Sequence, residues 1–330
     1  MAVYTHLGAE ELGELIAQYD VGDLVSAKGI AEGVSNSNWL IETTGAAGES
    51  AGLAANAGSR YILTLYERRI ELADLPYFLG LLDHLAAKNC PVPRTIHDKT
   101  GQAYRMEHGK AAALIEFLPG VSPTTPTLAQ AASVGEVLAR MHLASADFPL
   151  TRANTMDFAS NCALLERFDE VKLASINPDL PAMLGPANAA AKLDLAPLPR
   201  TQIHADLFPD NVLMLGDRVT GLIDFYFACT GAMALDLAIT HGAWCFDAAG
   251  DFLPRLSAAF IAGYESVRPL EPAERALLPE IAKGAALRFV ASRTEDWLDT
   301  PEDALVTRKD PMQFAARWQF YEEYGADVFA

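Results

Sequence analysis

One stretch of the 330-residue chain gathers side chains that could do chemistry: I-H-A-D-L-F-P-D-N-V-L-M at 203–214, with G-L-I-D-F-Y-F following at 221–227. It places His204, Asp206, Asp210, Asn211 and Asp224 between apolar runs that read as strands. Three carboxylates, an amide and an imidazole are costly to bury without partners. Either they decorate a solvated loop or a cation belongs among them. Residues 201–215 read as strand, loop, strand, and 218–227 as a second strand ending at Asp224, joined through the G-D-R turn at 216–218. Such a hairpin brings Asn211 and Asp224 to one space, with Asp206 on the loop just before. An amide oxygen beside a carboxylate suits Mg²⁺, a hard cation that keeps waters and shares phosphate oxygens. A separate carboxylate can then orient or accept the proton of an attacking hydroxyl.

The elements that must position these groups follow from periodicity. Residues 9–19 carry Leu12, Leu15, Ile16 and Tyr19 on one helical stripe. Short β-like segments follow at 24–30, 37–43 and 60–66. The Gly/Ala/Ser stretch between the last two, residues 44–59, has no apolar pattern and reads as a mobile hairpin loop. Residues 71–88 read as a helix, followed by an extended segment near 90–96 and two more strands ending near L-P-G at 118–120. Beyond that point the pattern is helical: 127–147, capped at Thr127, then 161–172, 232–246, 250–264 and 271–294, with brief β runs at 200–204, 211–215 and 219–224. The expectation is an α+β chain of two parts. A small antiparallel-sheet lobe covers 1–117, and a larger, mainly helical lobe covers 118–330.

Composition narrows the partners. A net charge of −18 disfavours nucleic acid and anionic membrane surfaces, both polyanions. It leaves room for a phosphate ligand if a metal ion supplies charge locally. The four cysteines, Cys90, Cys162, Cys229 and Cys245, are widely spaced, which suits reduced thiols rather than a disulfide framework or a zinc site. With no signal-like N-terminus and no long apolar run, a cytoplasmic protein is expected.

The order H-x-D-L-x-x-x-N followed by a strand-end D-F resembles the catalytic loop and metal-binding segment of protein kinases. An A-P-E segment is missing, and there is no room for an activation loop after Asp224. The chain is more similar to the aminoglycoside phosphotransferase and choline kinase superfamily. Within it, the stretches at 29–43, 61–69, 75–93, 112–120, 203–214 and 286–297 resemble bacterial homoserine kinases of the aminoglycoside-phosphotransferase-like type. The family usually has Gly where Ala205 stands. The resemblance implies a two-lobed, protein-kinase-like fold and transfer of phosphate from ATP to the side-chain hydroxyl of L-homoserine, on the route to threonine. It implies that Asp206 orients or deprotonates the hydroxyl, that Asn211 and Asp224 hold Mg²⁺, and that His204 braces the loop.

The nucleotide would meet the turn carrying Ser35, Asn36 and Ser37, and the backbone of Glu116, Phe117 and Leu118. Kinases of this shape place a cation on the third strand. Thr64 stands there in this chain, and Arg68 is the expected substitute, with Arg60 as the other choice. An amino-acid substrate needs a cation for its carboxylate and an acceptor for its ammonium. Arg293 is the first choice for the carboxylate and Arg288 the second; Asp247, Glu295 and Asp296 are candidates for the ammonium. The alternatives are a kinase for choline, an aminoglycoside, methylthioribose or hydroxylysine, or a nucleotide-binding pseudokinase. A monomer or weak homodimer is expected.

Overall fold

The computed structural model describes residue 5 and residues 7–30, 36–45, 59–67, 70–300 and 308–330. The Ser35 position, Arg68 and most of the Gly/Ala-rich stretch lie outside the described residues. The chain divides into two compact units, Met1–Pro119 and Gly120–Ala330.

The first unit starts with helix α1 (Ala9–Ile16) and strands β1 (Leu24–Ile30), β2 (Asn36–Thr43) and β3 (Ser59–Tyr66). Helix α2 (Leu75–Ala87), then β4 (Thr95–Ile96), β5 (Arg105–Glu107) and β6 (Lys110–Glu116), complete it. The sheet runs β1-β2-β3-β6-β4, with β5 also on β6, and every pairing is antiparallel. Strand alternation sorts its faces. Trp39, Ile41, Leu63, Leu65, Ala112 and Leu114 form one face, packed against Leu12, Leu15 and Ile16 of α1. The α1 stripe read from the sequence is therefore the lid of this core.

The same side of the sheet carries a polar knot. Lys110 pairs with Glu67 and donates to Thr5 Oγ1 at 2.6 Å, and Ser37 Oγ donates to Glu67 Oε1 at 2.6 Å. On the other face, Asn38 and Thr64 lie directly opposite each other in register, and Thr64 Oγ1 donates to Asn38 Oδ1 at 2.8 Å.

The second unit is mainly helical. It comprises α3 (Leu128–Ala144), α4 (Phe158–Glu166), α5 (Glu170–Ile176), α6 (Leu184–Ala190), β7 (Arg200–Ile203), β8 (Val212–Leu215), β9 (Arg218–Leu222), β10 (Cys229–Ala232), α7 (Met233–Trp244), α8 (Pro254–Glu265), α9 (Pro272–Asp299) and α10 (Met312–Val328). Thr127 caps α3, with Gln130 completing a capping box. The single helix expected at 161–172 is two. Asp157 caps α4 and Asp169 caps α5, its side chain accepting from Lys172 N and restarting the chain after a break at 167–169. Three further elements have no counterpart in the sequence reading: α6, β10, which pairs with β7, and α10. All four cysteines are buried and free. No described helix is long and apolar enough to cross a membrane.

Helix α3 meets α8 through glycines. A Cβ at Gly263 would lie 2.1 Å from the Ala132 carbonyl oxygen, and one at Gly135 would lie 2.1 Å from that of Phe260. Backbone cannot yield as a side-chain tip can, so Gly263→Ala must push the helices apart. It is expected to destabilise the chain by about 1–3 kcal/mol, the usual range for overpacking, measured by urea denaturation.

Candidate active site

Strand β7 delivers its end directly into the polar loop. His204 is fully buried. Its Nε2 donates to the Ile223 carbonyl at 2.9 Å, and its Nδ1 accepts from the Asp206 amide at 3.2 Å. A carbonyl partner on one nitrogen and an N–H on the other define a neutral ring with its proton on Nε2. Burial also holds the imidazole below its usual range. His204 thus ties the loop to the end of β9, next to Asp224.

Ala205 lies in left-handed backbone, φ +61°, the region the family's glycine would enter without strain. Its N–H donates to Asp236 Oδ1 at 2.7 Å, and its carbonyl accepts from Arg288 Nη1. The peptides on both sides of this residue are therefore held by buried charges of opposite sign. Asp236 Oδ2 also accepts from the His204 amide at 2.7 Å and from His142 Nε2 at 3.0 Å. Behind it, Arg268 donates to the Tyr264 hydroxyl at 3.3 Å, and that hydroxyl meets His142 Nδ1 at 2.9 Å. Arg268 in turn pairs with Glu274 at 2.8 Å. Burial opposes ionisation of Asp236. The bonds from His142 and the His204 amide outweigh it and hold the carboxyl below its usual range.

The loop then carries Asp206, Asp210 and Asn211. Asn211 Nδ2 donates to the Asp206 carbonyl at 2.8 Å and approaches Asp206 Oδ2 at 3.4 Å, leaving its Oδ1 open. The Asn211 carbonyl accepts from the Ile223 amide at 3.0 Å, and Val212 pairs with Leu222, so the hairpin holds Asn211 and Asp224 side by side. Asp224 itself turns into left-handed backbone, φ 65°. Burial raises Asp206 above the usual carboxylate range, and the Arg288 charge opposes the shift. Asp224 keeps an accessible edge, yet the dense protein around it and the charges of Asp206 and Asp210 push it up to about 6. Among the described residues no three His, Cys, Asp or Glu side chains form a closed metal cage. The open Asn211 oxygen beside the carboxylates of Asp206 and Asp224 could serve a hard cation that keeps other ligands.

The remaining expected site residues fall in several places. Arg288 is buried, its Nη1 on the Ala205 carbonyl and its Nη2 3.6 Å from Asp206 Oδ1, so both terminal nitrogens face the loop, while its Nε has no hydrogen-bond partner among the described residues. Asp247 Oδ1 accepts from the Ala249 and Asp251 amides, both at 2.9 Å, and closes its own turn. Glu295 pairs with Arg167 at 2.9 Å. Arg293 Nη1 donates to the Asp310 carbonyl at 3.0 Å and to Gln313 Oε1 at 2.9 Å. In the first unit, Asn36 Oδ1 accepts from the Glu67 amide, and the Ser37 hydroxyl is engaged by Glu67. Glu116 bridges to Arg94, and the Phe117 ring lies under the Arg60 guanidinium, which is paired with Glu42 at 3.0 Å. Leu118 follows in the chain segment that closes the unit.

Asp236 and His142 were not singled out by the sequence reading. The available signal was a lone carboxylate inside the otherwise apolar run M-A-L-D-L-A-I of α7.

The fold and this loop define a class. The profile of the phosphotransferase enzyme family matches residues 26–270, and the chain belongs to that family. Within it, the chain belongs with the homoserine kinases. It is 46% identical to a homoserine kinase of Gluconobacter oxydans over 98% of this chain and 98% of that one. It is 44% identical to one of Methylobacterium radiotolerans over 98% and 97%. Among solved structures, an amicoumacin kinase in complex with AMP-PNP and Ca²⁺ shares the fold, with a TM-score of 0.67 at 14% identity over 96% of this chain and 94% of that one.

Two substitutions test the loop's support. Asp236→Asn sets an amide against two backbone N–H groups and should cost about 3–5 kcal/mol, as for a broken buried charge network, read by urea denaturation. Ala205→Gly should instead stabilise by up to about 1 kcal/mol, the relief of left-handed strain exceeding the added freedom of the unfolded chain.

Proposed function

We propose that this chain phosphorylates the side-chain hydroxyl of L-homoserine with ATP, Asp206 serving the hydroxyl and a divalent cation, Mg²⁺, held by Asn211 and Asp224. The observation that carries the reading is the loop geometry. Asp206, Asn211 and Asp224 are gathered by one hairpin, in a chain 44–46% identical to homoserine kinases over nearly its whole length.

Asp206 is aimed by backbone that cannot readily shift, because the residue before it is tied at both peptides. Its carboxylate can accept a hydrogen bond from the substrate hydroxyl and take up the proton as the new P–O bond forms. The Arg288 charge opposes the upward shift that burial imposes on the Asp206 carboxyl. A bound divalent cation supplies positive charge to the phosphate oxygens. The excess of carboxylates around Asp224 favours such a cation and disfavours an empty state.

The nucleotide is assigned to the first unit, at Asn36 and Ser37 at the start of β2 and at the backbone of Glu116, Phe117 and Leu118. Asn38 lies on the same strand, and the Thr64 hydroxyl fixes its amide by donating to its Oδ1. That leaves the Asn38 N–H donors available beside Thr64, which stands where a cation is expected, while Arg60 at the start of the strand is paired with Glu42. Loose phosphoryl transfer asks mainly for positioning and charge, and backbone and amide donors with the metal meet that demand.

A coupled ADP-release assay with homoserine, choline, an aminoglycoside and methylthioribose tests the assignment. Homoserine is expected to be the preferred acceptor, and preference for any of the others would replace the reading. Asp206→Asn should lower kcat by roughly 10²–10⁴ with nucleotide affinity kept. Asp224→Ala should weaken metal–nucleotide binding, so equal profiles for the two variants would overturn the division of roles.

A further inference from the structure

Two arginines of the second unit converge on one aromatic ring. Arg293 on α9 and Arg317 on α10 place their guanidinium carbons 4.6 Å and 4.2 Å from the centroid of Phe314. Arg317 also lies 5.3 Å from the Phe246 ring. Helix spacing explains the meeting: Phe314 and Arg317 are three residues apart on α10, hence on one side of it. Phe289, one turn before Arg293 on α9, packs on Phe314 with centroids 4.6 Å apart.

Neither cation is neutralised by a described residue. Among the described residues no carboxylate forms an ion pair with either one, and Arg317 Nε is buried with no hydrogen-bond partner. Asp310 offers Arg293 its main-chain carbonyl while its Oδ1 accepts from the Met312 amide, so its charge favours the Arg293 cation without pairing with it. In a chain with 43 acidic and 25 basic residues, two half-buried arginines on one ring, neither paired with a described carboxylate, are a costly arrangement. The phenyl ring offers cation–π attraction but no countercharge. Burial, together with the Arg317 charge, brings Arg293 down to about 10, and burial lowers Arg317 as well.

This cation pair adjoins the catalytic loop. Phe208, two residues after Asp206, packs on Phe314 at 6.1 Å and on Phe289 at 5.0 Å. The Asp206 charge is close enough to act on Arg293.

The geometry points to Arg293 and Arg317, arrayed on Phe314, as the subsite that binds the α-carboxylate of the acceptor and thereby selects an amino acid over an amino alcohol. The assignment rests on the homoserine reading for the identity of that acceptor. Arginine donors match a carboxylate, and the anion supplies the missing charge to both. The same pair explains why Arg288, already bound to the loop, is not needed for this task.

The test is calorimetric binding of L-homoserine and of 3-aminopropan-1-ol, its counterpart without the carboxylate, to the full-length chain with a non-hydrolysable ATP analogue and Mg²⁺. It is run on wild type, Arg293→Met, Arg317→Met and Arg317→Lys, alongside steady-state kinetics. Wild type is expected to prefer homoserine. Each Met variant should weaken homoserine binding roughly 10²-fold, as for loss of one partner of a desolvated charge pair. The amino alcohol should bind all variants alike, the homoserine loss should appear in KM rather than kcat, and Arg317→Lys should recover part of it. Equal weakening of both ligands, or a fall in kcat at constant KM, would make the pair structural and overturn the assignment. So would a wild type that binds the two ligands equally. Carboxylate-dependent binding without phosphate transfer would retire the kinase reading while leaving the subsite standing. Homoserine turnover undisturbed in both Met variants would do the reverse.

Discussion

The buried carboxylate of Asp236 is the interaction on which the second unit depends. A carboxylate out of water costs several kcal/mol unless its oxygens are fully used. Here two loop amides and His142 use them, and Tyr264 and Arg268 extend the chain of donors behind. The debt can be offset only if residues 204 and 205 sit where they do. The loop's conformation and the folding of α3, α7 and α8 are therefore one event rather than two. Arg288 closes the arrangement from α9 by taking the Ala205 carbonyl. Asp206 follows in the chain, and its direction is inherited from atoms that do no chemistry.

Charge distribution follows a consistent logic around this centre. The charges of Asp206 and Asp210 raise the cost of ionising Asp224, and that of Asp210 raises the cost of ionising Asp206, on one side of the loop. On the Phe314 side the Arg317 charge likewise opposes that of Arg293. A negative cluster and a positive cluster are thus held apart by a wedge of Phe208, Phe289 and Phe314 instead of collapsing into salt bridges. Among the described residues Arg288 offsets only part of the negative cluster, and no carboxylate pairs with the two arginines.

Much of this was legible in the sequence. Strand alternation located β1, β2, β3 and β6, and the α1 stripe predicted its own buried face. The loop and hairpin were readable because polar residues at strand ends leave few conformations open. What escaped was whatever depends on partners distant in sequence. Asp236 lies 32 residues from His204, and His142 lies 94 from Asp236. The α4–α5 break escaped because helical periodicity continues across it while Asp169 restarts the chain. Arg317 escaped because its only sign was a missing acid, a property of the folded environment.

The left-handed residue at 205 has a bearing on how such loops drift. Codons for alanine and glycine differ by a single base, so the two residues are neighbours in mutational space. Where a backbone bend relies on glycine alone, that step is closed. Here Asp236 and Arg288 grip the flanking peptides and carry the conformational cost from outside the residue. The bend is encoded in α7 and α9 as much as in the loop. A lineage that has acquired the grip can exchange the two residues, and the identity of residue 205 then says less about the loop's shape than the two charges that hold it.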